Sequence, residues 1–358
     1  MKKIAILSGD GIGPEVVKQA VKVLDAITKI SNIEFEYTEA LIGAIAIDET
    51  GNPFPDETLK VCQEADAILF GAIGHPKYDN DPSAKVRPEQ GLLAMRKSLG
   101  LFANIRPVAS YKVLEDASPL KKEIIENVDF VVYRELTGGI YFGERGISED
   151  GNTAYDTCTY SKGEITRIAK LAFEAARLRD SRVTLVDKAN VLDSSRLWRE
   201  VVTKMAADDY PDIALDFMFV DNAAMKIIQN PRHFDVLLTG NMFGDILSDE
   251  SSVIAGSLGL LPSASVGAKV ALYEPIHGSY PEVAGQNIAN PVATILSAAM
   301  LLELSFGMSA EAKLIRDAVE DSLNNGIVTK EINGDKFYST EEVGAYIAAL
   351  VAASPKSE

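Results

Sequence analysis

The stretch Phe234-Asp-Val-Leu-Leu-Thr-Gly-Asn-Met-Phe-Gly-Asp-Ile-Leu-Ser-Asp-Glu250 decides how this chain folds. It opens as an apolar run that stops at Gly240, so it reads as a buried strand, a turn and then a helix. Strand, turn and helix in that order form the unit of α/β architecture. The same grammar recurs at residues 3–7, 67–70, 183–186, 213–220 and 236–239, with amphipathic segments between them. The middle of the chain differs. Residues 128–134, 139–142 and 153–160 are strand-like pieces joined by a Gly-rich loop, and a small antiparallel element is expected to project there.

On the helix after Gly240, Asp245 and Asp249 share a face, because residues four apart are neighbours on a helix surface. Two like charges so placed repel unless something positive lies between them. Asp221 ends the preceding apolar run, and open α/β sheets bind ligands at the carboxyl ends of their strands. Singly, each aspartate reads as a helix cap or a solvated carboxylate. Together the three suit a hard divalent cation, Mg²⁺ or Mn²⁺.

Composition narrows the class. A chain of 358 residues that is 47% hydrophobic buries a large core and is long for one domain, so two lobes are expected. The net charge of −17 opposes binding to nucleic acid or to an anionic membrane surface. Two cysteines, Cys62 and Cys158, are too few for a disulfide framework and fit a reducing compartment. The run 295–302 is far shorter than the roughly 20 residues of a spanning helix, and the opening residues read as a first strand. The expectation is a soluble, cytoplasmic protein with a loose tail over residues 354–358.

Gly9-Asp-Gly-Ile-Gly-Pro14 imitates a dinucleotide fingerprint, but Pro14 stands where its last glycine belongs. A strand-to-helix turn with Pro14 opening the helix explains it. Three arginines stand at element ends. Arg96 and Arg106 flank a helix-to-strand transition between Arg87 and Pro107, and Arg134 ends a strand. Each alone reads as a surface ion pair; three that converge would suit a dicarboxylic acid, since guanidinium groups hold carboxylates through paired bonds. Tyr141 and Lys188 are polar ends on apolar supports, placed for proton transfer or merely for solvent.

These stretches, with Arg134-Glu-Leu-Thr-Gly-Gly-Ile-Tyr-Phe-Gly143, Asp187-Lys-Ala-Asn190, Glu274-Pro-Ile-His-Gly-Ser279 and Ile288-Ala-Asn-Pro291, resemble the isocitrate/isopropylmalate dehydrogenase family of β-decarboxylating dehydrogenases over essentially the whole chain. The resemblance implies a two-lobed α/β fold with a mixed central sheet flanked by helices. Residues 1 to about 101 with 255–358 would form a discontinuous cofactor-binding domain. Residues 102–254 would form the domain for dimerisation, metal and substrate, with a β arm over residues 139–160. It implies a homodimer with shared sites, in which Lys188 and Asp221 reach the partner's site. Asp221, Asp245 and Asp249 would hold Mg²⁺ or Mn²⁺, with Asp221 also near the substrate, and Arg96, Arg106 and Arg134 would clamp its carboxylates.

The chemistry implied is an NAD⁺-dependent oxidation followed by loss of CO₂. Lys188 would take the C2 hydroxyl proton and Tyr141 would return a proton to carbon. Leu92 and Leu93, one turn before Arg96, would contact an apolar isopropyl substituent, and Glu89 would repel a third carboxylate. The branch implied is the one acting on isopropylmalate in leucine biosynthesis; the alternatives are isocitrate, homoisocitrate, tartrate or D-malate, or a non-catalytic regulatory subunit. A metal-dependent phosphotransferase would need a phosphate-cradling loop with lysine. The cofactor would lie along residues 76–89 and 278–290, touching Pro76, Glu89, His277, Gly278, Ser279, Glu282, Gly285 and Asn290. Glu282 would accept from ribose hydroxyls and repel a 2′-phosphate, favouring NAD⁺ over NADP⁺. The chain departs from the commoner family pattern in having Glu282 for Asp and Tyr280 for Ala.

Overall fold

The computed structural model describes residues 1–80 and 84–355, with Asp79 described by its backbone only. Residues 81–83 of the expected cofactor stretch and 356–358 of the expected tail lie outside the described residues. The chain divides into two compact units, Met1–Leu101 with Ser257–Glu358, and Phe102–Gly256. The first unit begins with β1 (Lys2–Gly9), β2 (Phe35–Glu39) and β3 (Ala67–Ala72). The second carries β4 (Ala103–Ala109), β5 (Asp129–Glu135), β6 (Arg145–Ile147), β7 (Ala154–Asp156), β8 (Arg182–Asp187), β9 (Ala214–Phe219) and β10 (Val236–Thr239). The chain then adds β11 (Pro262–Val266) and β12 (Ala271–Pro275) to the first unit.

Within the first unit the strand order is β2-β1-β3-β12-β11, parallel except for the β11–β12 pair. β3 is buried along its whole length, as expected for a strand covered on both faces. The helix Gly13–Ile30 starts with Pro14 in its first turn and buries Val16, Ala20, Val23, Leu24 and Ile27, spaced for one face. The helix Val292–Phe306 is buried without a break from Val292 to Leu302, so the apolar run 295–302 is a core helix. The helix Pro88–Leu99 stops at Gly100, whose φ of 63° supplies the left-handed cap.

The second unit has the order β4-β5-β10-β8-β9, with β4 antiparallel to β5 and the rest parallel. Each unit therefore has the mixed sheet and flanking helices expected of the fold. β5 is an inner strand of this sheet and takes no part in the projecting element. That element is the antiparallel pair β6–β7 alone. Residues 139–142 do not form a strand: Gly139–Tyr141 is a turn of 3-10 helix, bent by Gly139 at φ 75° and held by the Glu135 carboxylate, which accepts from the amides of Thr137 (3.0 Å) and Gly138 (2.6 Å).

The core of the second unit centres on Phe130 and Phe234, whose ring centroids lie 5.7 Å apart among Val132, Val186, Leu237 and Leu247. Phe234 leads into β10 and so supports the loop and helix that follow. Replacing it by alanine leaves a cavity no neighbour fills, and Phe234→Ala is expected to lose about 3–5 kcal/mol in denaturant unfolding.

Candidate active site

β4 and β5 pair so that Asn104 faces Arg134 and Arg106 faces Val132, which puts Asn104, Arg106 and Arg134 on one face of the sheet. β10 runs parallel beside β5, with Thr239 level with Arg134, and the chain turns at Gly240 into the helix Asn241–Ser251. That helix presents Asn241, Gly244, Asp245, Ser248 and Asp249 at the three- and four-residue spacing of a single face. Gly244 permits the approach: a Cβ there would stand 2.6 Å from Arg134 Cγ.

The two arginines meet this face in sequence. The Arg134 guanidinium, 7% exposed, donates from Nε (3.1 Å) and Nη2 (2.9 Å) to Asn241 Oδ1 and from Nη1 to Asp245. Arg106 donates from Nε to Asn104 Oδ1 (2.9 Å) and from Nη1 to Ser248 Oγ (2.8 Å) and Asp249 Oδ1 (2.6 Å). Each aspartate of this face thus has an arginine of its own, Asp245 with Arg134 and Asp249 with Arg106.

The Tyr141 hydroxyl donates to the free side of Asp245 at 2.9 Å, and the Arg134 guanidinium lies 6.0 Å from its ring centre. Partial burial, and then the bond to Asp245, push the Tyr141 phenol above its ordinary range, so it is a proton-bearing group at neutral pH. The turn that carries Tyr141 is tied to the same helix, since Asn241 Nδ2 donates to Gly138 O (3.1 Å) and Asn241 N donates to the Tyr160 hydroxyl (2.7 Å).

Lys188 and Asp221 follow β8 and β9, whose ends are level at Asp187 and Phe219. Lys188 Nζ donates to the Asp221 carboxylate and holds it below the usual carboxylate range. Asp221 is 63% exposed, in the first turn of the helix Val220–Gln229. Within one chain, Asp221 does not join Asp245 and Asp249: among the described residues no group of three His, Cys, Asp or Glu side chains stands close enough to hold a metal ion.

The remaining residues singled out from the sequence lie in the first unit. Arg96 Nη2 donates to the buried Glu274 at 2.9 Å. On the same helix Leu92 packs on the core, Met95 is buried, and Leu93 is 55% exposed. Pro76 opens the short helix Pro76–Asp79, and Glu89 stands beside Gly74. Gly278 and Glu282 are exposed, and exposed Gly285 donates its amide to Glu15. Ser279 is buried and its hydroxyl is bonded to Gly74 O at 2.6 Å.

His277 and Asn290 each carry an unpartnered buried atom, Nε2 and Nδ2. His277 Nδ1 is 3.0 Å from Gly278 O; a carbonyl only accepts, so Nδ1 holds the proton and Nε2 is left with its lone pair. Asn290 Oδ1 accepts from Val292 N (3.1 Å), which leaves the amide nitrogen as a spare donor. A spare acceptor and a spare donor suit the polar edge of an adenine ring.

The model of the isocitrate/isopropylmalate dehydrogenase family matches residues 3–347. The chain belongs to the isocitrate/isopropylmalate dehydrogenase family. It is 58% identical over 352 residues to the 3-isopropylmalate dehydrogenase of Bacteroides fragilis, covering 98% of each chain. The enzyme of that name from Aquifex aeolicus is 55% identical over 92% of this chain and 91% of its own. Among solved structures, the isocitrate dehydrogenase of Methylococcus capsulatus superposes with a TM-score of 0.84 at 34% identity, over 98% of this chain and 100% of that one. The β-decarboxylating dehydrogenase of Thermococcus kodakarensis gives 0.82 at 35%, over 98% and 96%.

Members of this family act on small molecules, and the arginine–aspartate face is a candidate site for one in the second unit. Asn241, Ser248, Asn104, Glu135 and Asp10 were not singled out from the sequence, because an amide, a hydroxyl or a buried carboxylate gains a role only when topology sets it against an arginine or an amide. The spacing of Asn241 from Asp245 was the one available signal.

Removing the acceptor of Asn241 takes away a bond that both Nε and Nη2 of Arg134 make. Asn241→Leu also removes the donor to Gly138 O and is expected to cost about 1–3 kcal/mol in denaturant unfolding. Burial holds the His277 imidazole below its ordinary range, so the unfolded chain takes up a proton that the native chain refuses. Stability is then lost as pH falls below the unfolded value of about 6.5. Thermal melts from about pH 7 to about pH 5 should fall less steeply for His277→Gln than for the parent.

Proposed function

We propose that the chain catalyses the NAD⁺-dependent oxidative decarboxylation of 3-isopropylmalate to 4-methyl-2-oxopentanoate and CO₂ in leucine biosynthesis, as a cytoplasmic homodimer using Mg²⁺ or Mn²⁺. The observation that carries this reading is identity of 53–58% to relatives named 3-isopropylmalate dehydrogenase over nearly the full chain. Among the described residues no helix is long and apolar enough to cross a membrane. The first unit would bind the cofactor, and the second would bind metal and substrate and dimerise.

Substrate carboxylates would take Arg106 and Arg134 from Asp249 and Asp245, with Arg96 as a third clamp. The aspartates so released, with Asp221 of a second copy, would supply an all-oxygen donor set suited to a hard cation. NAD⁺ would lie along the loop that carries His277 and Asn290, whose spare acceptor and donor fit its base. When bound, NAD⁺ would supply a hydride acceptor and the divalent cation, held by Asp221, Asp245 and Asp249, a Lewis acid. Lys188 takes the hydroxyl proton across the dimer. Tyr141, held protonated beside Asp245, donates to the carbon that loses CO₂. Exposed Leu93, on the helix that carries Arg96, would offer an apolar contact to an apolar substituent, where isocitrate would present a charge.

The test is NADH formation with Mn²⁺ on 3-isopropylmalate, isocitrate and D-malate, each with NAD⁺ and with NADP⁺. Rapid turnover of 3-isopropylmalate with NAD⁺, abolished by a chelator, is expected; preference for another acid would overturn the substrate assignment. Lys188→Ala is expected to lower kcat about 10²–10⁴-fold, and unchanged turnover would remove it as the base.

A further inference from the structure

The turn at Gly9–Pro14 has a use that its sequence conceals. Asp10 is 4% exposed, and burial raises its carboxyl above the ordinary range against the pull of the amides around it. Its Oδ2 accepts from Ala44 N (2.9 Å) and Gly74 N (2.9 Å), and its Oδ1 accepts from Ile45 N (3.0 Å). The opposite end of the Gly74 residue is also held, because the Ser279 hydroxyl donates to Gly74 O at 2.6 Å. Ser279 in turn is tied to the turn itself: Ile12 N donates to Ser279 O at 2.8 Å, and a Cβ on Gly11 would collide with that carbonyl.

Gly74 thus has its amide on Asp10 and its carbonyl on Ser279, at a φ of 113° that favours glycine. It lies just before Pro76, and Ser279 lies just after His277, so the two bonds join the two stretches expected to line the dinucleotide. We propose that Asp10 and Ser279 are positioning residues that staple Gly74 from both sides and so set the spacing of those stretches for NAD⁺. The assignment rests on the reading of the first unit as the cofactor-binding domain.

The staple predicts a defect in cofactor binding alone. Asp10→Asn keeps the size of the side chain but turns an N–H toward at least one of the three amides. The KM for NAD⁺ is expected to rise about tenfold or more, the loss of one charge-assisted hydrogen bond, with kcat and the KM for 3-isopropylmalate within about twofold. The double variant with Ser279→Ala should be little worse than the worse single variant, since both act through Gly74. An unchanged KM for NAD⁺, an equal rise in both KM values, or multiplicative effects in the double variant would overturn the staple. So would tighter NAD⁺ binding, which is what removal of a mere negative charge near a pyrophosphate would give.

If Asp10→Asn does not fold, Ser279→Ala and Ser279→Thr carry the test. Weak NAD⁺ binding with alanine and recovery with threonine support the staple, and equal values overturn it. Failure of the parent protein to use any nicotinamide dinucleotide would instead overturn the reading of the domain, so the two failures are distinguishable.

Discussion

Two aspartates four residues apart on one helix face repel, by about 0.2–0.5 kcal/mol on an exposed helix, and the second unit gives each of them a positive partner. Arg134 answers Asp245 and Arg106 answers Asp249. This needs β4 and β5 antiparallel, so that both arginines face one way, and β10 beside β5, so that the helix after Gly240 lands over them. It also needs a glycine at 244, where the helix crosses the stem of Arg134. Asn104, Asn241 and Ser248 fix the guanidinium planes.

The same pairing makes the cluster responsive. Each aspartate assigned to the metal is held by a basic group: Arg134, Arg106 and, for Asp221, Lys188. On the proposed reading a dicarboxylate would compete for the arginines and a divalent cation for the aspartates, so that each ligand would remove an obstacle to the other and by linkage the help would be mutual. The Lys188–Asp221 pair stands apart from this cluster within one chain.

The α/β class was legible because buried strands such as 67–70 and 236–239 are continuous apolar runs. The helix bearing Asp245 and Asp249 followed from Gly240 and the spacing of its polar face. β2, β11 and β12 were not read from the pattern. β2 is an edge strand with largely exposed side chains, and β11, Pro-Ser-Ala-Ser-Val, alternates but with small side chains behind a leading proline and so carries no apolar run. Residues 139–142 misled because isoleucine, tyrosine and phenylalanine favour strands, whereas Gly139 and the Glu135 carboxylate impose a turn. Within the site, the charged residues could be named from sequence. Their partners could not, since the register of β4 on β5 decides which arginine meets which aspartate.

The partner exchange is the central claim, and the most direct test is the affinity for Mn²⁺ measured by titration with and without 3-isopropylmalate, no cofactor being present. Substrate should tighten Mn²⁺ binding by about tenfold or more, with an equal effect of Mn²⁺ on substrate affinity. Equal Mn²⁺ affinity in the two titrations would mean that the arginines do not compete with the metal for Asp245 and Asp249, and would contradict the account.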